Sequence, residues 1–160
     1  MAVLPIVIGE NEPVLRKKTA TVPKVTKEIL RLLKDMDETV RNAEGAGIAA
    51  PQIGQSLRMC IALINGRYTP LINPEIIWRS EETDSMEEGC LSLPKVWLPI
   101  VRPVGITLRY TDAKGTEQER KLENFNARVV QHELDHLDGI LIVDYPQQKP
   151  DASHKEHAKM

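Results

Sequence analysis

Phe125-Asn126-Ala127-Arg128-Val129-Val130-Gln131-His132-Glu133-Leu134-Asp135-His136-Leu137 reads as one helix. Val129, His132, Glu133 and His136 fall along one face at helical spacing, and Val130, Leu134 and Leu137 along another. The second face is apolar and expected to be buried; the first is expected to point into a cleft. Asn124 is a candidate cap before the helix and Gly139 a stop after it. Two imidazoles at i and i+4 lie one turn apart and can bind one metal ion. Glu133, beside them, can handle the proton of an attacking water, the H-E-x-x-H arrangement of metal-assisted hydrolysis. The plainer alternative is an amphipathic helix whose histidines cap a polar edge.

Upstream of this helix the texture is that of strands. Arg58 to Ile64, Tyr68 to Ile72, Glu75 to Trp78, Val104 to Tyr110 and Glu117 to Leu122 are rich in β-formers. Asn65-Gly66, Asn73-Pro74 and Asp112-Ala113-Lys114-Gly115 separate them as turns. Near the N-terminus, Thr26 is a candidate cap for a helix reaching about Asn42, with Ile29, Leu30, Leu33, Met36 and Val40 on its apolar side. The run at residues 3–8 is expected at a sheet edge or extended over the core. Pro13 to Pro23 reads as loop, and Ile140 to Val143 as a last strand. The order helix, strands, helix predicts an α+β fold. Antiparallel or mixed sheets would surround a central metal-binding helix, with the N-terminal helix packed alongside.

The chain of 160 residues is 41% hydrophobic, enough for one domain with one core. We expect a single catalytic domain over residues 1–146 and a polar, mobile tail over 147–160. The net charge of −2 comes from well-mixed charges, so no basic stripe argues for nucleic acid. No apolar run is long enough for a bilayer span. No secretory or organelle-targeting segment is legible, which predicts a cytoplasmic protein with reduced thiols.

A catalytic metal site takes three protein ligands and one open position. Cys90, in Glu88-Gly89-Cys90-Leu91-Ser92, is the best candidate for the third. A thiolate is a strong, soft ligand, and Gly89 lets backbone come close to substrate or metal. Free cysteines are more often small buried apolar residues. Cys60, in Met59-Cys60-Ile61-Ala62-Leu63, is read that way. His154 and His157 lie in the charged tail and are read as solvated. Gly45-Ala46-Gly47-Ile48-Ala49-Ala50-Pro51-Gln52 is the third unusual stretch. Its small residues permit close backbone approach and Gln52 supplies an amide donor. A phosphate loop is excluded, because neither G-x-G-x-x-G nor a Lys-Ser/Thr pair is present.

Together, Gly45 to Gln52, Glu88 to Ser92 and Gln131 to His136, in that order, resemble the motifs of the peptide deformylase family. The likeness extends to Leu15-Arg16 and Val101-Arg102-Pro103, spanning nearly all of residues 3–145. It implies a metal-dependent hydrolase that removes the formyl group from the N-formylmethionine of nascent polypeptides. Cys90, His132 and His136 would ligate the metal. Ligand chemistry alone favours Zn²⁺; the resemblance implies native Fe²⁺, with Zn²⁺, Ni²⁺ or Co²⁺ as ions the purified protein could carry. Glu133 would carry the proton from the attacking water to the departing amine. The Gln52 amide and the Leu91 N–H would stabilise the formyl oxygen. Gly45, Gly47 and Gly89 would floor the site and pair with an extended substrate as with an added strand. From helical spacing, Phe125 and Val129, with the Arg128 methylenes, are candidates for the methionine pocket; Asp135 and Gln131 would support the site.

Two departures from the family's pattern stand out. Trp97 occupies roughly the place where some bacterial members carry an arginine, and is read either as a substrate contact or as a surface aromatic. Several bacterial members end in a long basic helix associated with ribosome docking. Here Pro146 and Pro150 oppose one, leaving transient ribosome contact in doubt. Two rival readings remain. An H-E-x-x-H metallopeptidase cleaving internal peptide bonds would take a downstream acid as third ligand, and only Asp138 and Asp144 are near. A binding module with a structural metal would need a fourth ligand, for which Cys60 is the obvious spare.

Overall fold

The protein is described by a computed structural model covering residues 2–146 and 158–159. Among these residues three α-helices, α1 (Pro13–Arg16), α2 (Lys27–Asn42) and α3 (Asn124–Leu137), pack with strands β1 (Gly47–Ala49), β2 (Met59–Ile64), β3 (Arg67–Arg79), β4 (Thr83–Cys90), β5 (Leu93–Pro103), β6 (Gly105–Thr111), β7 (Glu117–Glu123) and β8 (Ala158–Lys159). One sheet has the order β1-β2-β3-β6-β7 and is antiparallel throughout. The other has the order β5-β4-β8, antiparallel between β4 and β5 and parallel between β4 and β8. This is the expected α+β arrangement.

Alternation along β2 explains the layering. Met59 and Ile61 face α2, where they meet Leu33, Met36 and Val40. Cys60, Ala62 and Ile64 face α3 and pack with Val130, Leu134 and Leu137. The five-stranded sheet is thus buried on both faces at β1 and β2, while β7 and the ends of β3 are largely exposed. Thr26 caps α2 as expected, its Oγ1 accepting from Ile29 N at 3.2 Å. Gly139 ends α3 with φ +75°, and a Cβ there would meet Arg16 O at 2.5 Å.

Several local expectations are corrected. Asn73-Pro74 lies within the single long strand β3, at a register shift where Asn73 adopts φ +50°. The Asn73 side chain bonds both N and O of Val22, each at 2.8 Å, so it pins a neighbouring loop. Asn124 is not the cap of α3. Glu123 holds that position, and Asn124 takes φ +56° with its N–H bonded to Val104 O. Ile140 to Val143 is not a strand: a 3-10 turn runs from Ile142 to Asp144, closed by Asp144 Oδ2 accepting from Leu141 N. The loop from Pro13 begins with α1, its proline at the helix start, where the missing N–H costs nothing. Most of the tail expected to be mobile lies outside the described residues.

Candidate active site

α3 carries two of the three candidate ligands and the strand end at Cys90 carries the third. Cys90, His132 and His136 are all buried, and one ligand atom from each lies within 4.8 Å of the others. Cys90 Sγ is 3.3 Å from His136 Nε2. The two imidazoles stand edge to face with centroids 5.1 Å apart. His132 Nδ1 is bonded to Glu88 Oε1 at 2.9 Å, which leaves Nε2 for the cavity; that Nε2 is buried with no partner in the protein. A soft sulfur and two imidazoles, one oriented from behind by a carboxylate, fit a single transition-metal ion. Burial holds His136 well below the usual imidazole value, so it is neutral, the form that ligates. For His132 burial pulls the same way, but its interactions with Cys90 and Glu88 prevail and raise it. A cation entering this pocket therefore displaces a proton.

Glu133 is fully buried and both its oxygens lack a partner. Burial raises its carboxyl to about 7, against the opposing pull of His132. A carboxyl poised near neutrality and free of hydrogen bonds suits proton transfer. Gln52 sits in a 3-10 turn after β1 and is held on two sides. Its Oε1 accepts from Ala49 N at 2.9 Å, and its Nε2 donates to Ser92 Oγ at 3.1 Å and lies 3.8 Å from Cys90 Sγ. Leu91 follows Cys90 in the tight turn between β4 and β5. Gln52 and Leu91 therefore flank the ligand triangle on its sulfur side.

The glycines have a reason that the sequence did not disclose. A Cβ on Gly47 would lie 2.5 Å from Glu133 Oε2, and one on Gly89 would lie 2.7 Å from the Trp97 ring. On Gly45 it would meet Leu91 Cδ1 at 2.9 Å. The space these residues leave is thus filled by the protein's own side chains. Trp97 pairs across from Gly89 in the β4–β5 hairpin and covers its Cα. Phe125, at the start of α3, is 37% exposed, whereas Val129 has no exposed surface and belongs to the core behind the helix. α3 is buried on nearly all sides. Cys60 is buried in the core away from the triangle; burial raises its thiol well above the ordinary value, so it stays protonated.

Sequence reasoning missed the support behind His132. Glu88 Oε2 accepts from Arg102 Nε and from Arg128 Nη1, both at 2.6 Å, and Oε1 accepts from Arg102 Nη2 at 2.9 Å. Burial by itself would raise the Glu88 carboxyl, but hydrogen bonds from Arg102 and His132 hold it well below the usual range. Alternation could have found this residue: Glu88 lies two positions before Cys90, on the same side of an extended strand.

A buried Cys–His–His triangle beside an unpartnered glutamate, carried on a helix wrapped by two sheets, defines a metal-dependent hydrolase. A family model described as polypeptide deformylase matches residues 3–151, and the chain belongs to that family. It is an enzyme, a hydrolase that removes an N-terminal formyl group. The peptide deformylase of Pseudothermotoga lettingae is 47% identical over 134 residues, 84% of this chain and 78% of that protein. The crystal structure of peptide deformylase from Thermotoga maritima matches with a TM-score of 0.88 at 37% identity, covering 94% of this chain and 100% of that one. The peptide deformylase from Ehrlichia chaffeensis in complex with actinonin matches with a TM-score of 0.89 at 35% identity, covering 92% and 91%. Nothing in the fold or in these relatives supports an internal-bond metallopeptidase.

Proposed function

We propose that this enzyme deformylates formyl-methionyl nascent peptides, with Cys90, His132 and His136 holding one metal ion and Glu133 moving the proton. The observation that carries this reading is the convergence of the three ligand atoms beside a buried carboxylate with no partner. An ion held there supplies Lewis-acid polarisation of the formyl oxygen and water acidic enough to attack at neutral pH. The donor set accommodates Fe²⁺, Zn²⁺, Ni²⁺ or Co²⁺. We assign Fe²⁺ as the native ion on the strength of the motifs.

Glu133 takes a proton from the attacking water as its oxygen bonds to the formyl carbon. It then delivers that proton to the nitrogen as the C–N bond breaks, releasing formate and a free amine. Gln52 Nε2 and the Leu91 N–H donate to the formyl oxygen while it carries negative charge. Gln52 is suited to this because Ala49 and Ser92 fix its amide before substrate arrives. The extended peptide runs along the backbone of Gly45, Gly47 and Gly89, with Phe125 and Trp97 meeting its side chains. Residues 1–146 carry the activity, and the cytoplasm, where formyl-methionyl chains emerge, is the assigned compartment. Both cysteines are free, in keeping with a reducing compartment. Among the described residues no helix is long and apolar enough to cross a membrane.

The test is Glu133→Gln. Metal content should remain at the wild-type level while kcat for formate release falls by roughly 10²–10⁴. Loss of the ion would make Glu133 a ligand, and normal turnover would remove it from the chemistry.

A further inference from the structure

The residues behind the metal ligands form a chain that reaches the far side of α3. Arg102 uses Nε and Nη2 on the two oxygens of Glu88, and Glu88 in turn orients His132. The remaining terminal nitrogen of Arg102, Nη1, turns away from the site and donates to Asp135 Oδ2 at 2.9 Å. The same Asp135 oxygen accepts from the Tyr145 hydroxyl at 2.5 Å. Arg102 Nη1 also lies 3.2 Å from that hydroxyl, which closes a triangle.

Asp135 needs this restraint. Unlike the ion pairs at Glu88, it is partly exposed, at 21% of its side chain. It borders a cavity of about 310 Å³ that Arg58, Arg79 and Asp138 also line. Arg58 is held by Asp138 at 2.9 Å, but the Arg79 guanidinium on that cavity could draw the carboxylate away from Arg102. The Tyr145 hydroxyl holds it back. Tyr145 is itself well anchored: its ring packs beside Leu141 and Ile142, and its neighbour Asp144 pairs with Arg16 at 2.6 Å.

We propose that Tyr145 is a positioning residue for the metal site: its hydroxyl locks Asp135 onto Arg102, and so fixes the Glu88 carboxylate that aims His132. This rests on His132 being a ligand. The segment after α3 thereby becomes part of the active site's support, although it touches neither metal nor substrate.

Tyr145→Phe tests this, because it keeps the ring and removes only the hydroxyl. In the Co²⁺-loaded enzyme, release of the ion to a chelator should speed up about threefold to tenfold, less than the 10- to 100-fold typical of a group bonded directly to a ligand. The visible Co²⁺ absorption should shift, and kcat should fall with KM unchanged. Asp135→Asn should do the same, and the double variant should be no worse than Asp135→Asn alone, as for groups acting through one chain. A Tyr145→Phe enzyme with wild-type release rate and Co²⁺ spectrum overturns the proposal, whatever its melting temperature, and so does a change confined to KM. His132→Ala is the control for the reading beneath it. Loss of the ion there upholds the ligand assignment; retention overturns that assignment and the proposal with it.

Discussion

Gly47 has no room for a methyl group, because Glu133 Oε2 and Cδ lie 2.5 and 2.8 Å from where its Cβ would sit. Gly47→Ala should therefore displace the one carboxylate the reaction needs. A shift on the order of 1 Å at a reacting group costs about 10²-fold in rate. We expect kcat to fall by roughly that factor with metal content unchanged, measured by formate release and metal analysis on the same sample. The cysteines separate at this scale too. Cys90→Ala should purify without its ion and Cys60→Ala with it, since Cys60 packs into the apolar core and is not one of the converging ligand atoms. Cys90, His132 and His136 were legible because ligand types and spacing carry chemistry in the sequence itself. The reason for Gly45, Gly47 and Gly89 was not, since it depends on which side chains come to rest against them.

Among the elements, α2 was readable from its apolar period and its Thr26 cap, both of which are local signals. β4 and β5 were not. β4 contains three acids and a glycine within eight residues, and β5 contains Pro94, Pro99 and Pro103. Neither composition favours a strand. What stabilises β4 is tertiary: Arg102 from β5 and Arg128 from α3 both bind Glu88. The sign of the resulting pH dependence follows. Glu88 titrates lower in the folded than in the unfolded chain, so its contribution is complete above the ordinary carboxyl value of about 4.3 and is lost as pH falls below it. Tm should drop on acidification from pH 5 downward. Glu88→Gln should lower Tm at neutral pH, where breaking one side of a buried ion pair costs about 3–5 kcal/mol. It should also flatten the acid limb of the Tm profile. An acid limb as steep as wild type would deny Glu88 this role.

Over the whole molecule, the layered plan was legible, because the order of elements and the central position of α3 follow from pattern alone. The second sheet was not, for β4 is largely acidic and polar and β5 is interrupted by three prolines. Its edge bears on function. The backbone of β4 at Glu88 and Gly89 pairs with Ala158 and Lys159, on the strand along which an extended substrate is expected to run. A chain ending at residue 146 keeps every proposed ligand and the Arg102–Asp135–Tyr145 triangle. It should fold and retain kcat/KM for a short formyl-Met peptide within about twofold or better; a large loss would move part of the site into the tail. The space around the reacting atoms is narrow, with Glu133, Gln52 and Cys90 all buried about it. A formyl carbon carries only hydrogen, whereas an acetyl methyl would have to fit where the attacking water and the Leu91 N–H converge. The most direct measurement compares kcat/KM for formate release from a formyl-Met peptide with that for acetate release from its acetyl-Met counterpart, on the metal-loaded enzyme. We expect the formyl substrate to be faster by at least about 10²-fold, the scale set by losing one well-placed donor to the developing oxyanion. Comparable rates on the two would contradict a site built around the formyl group.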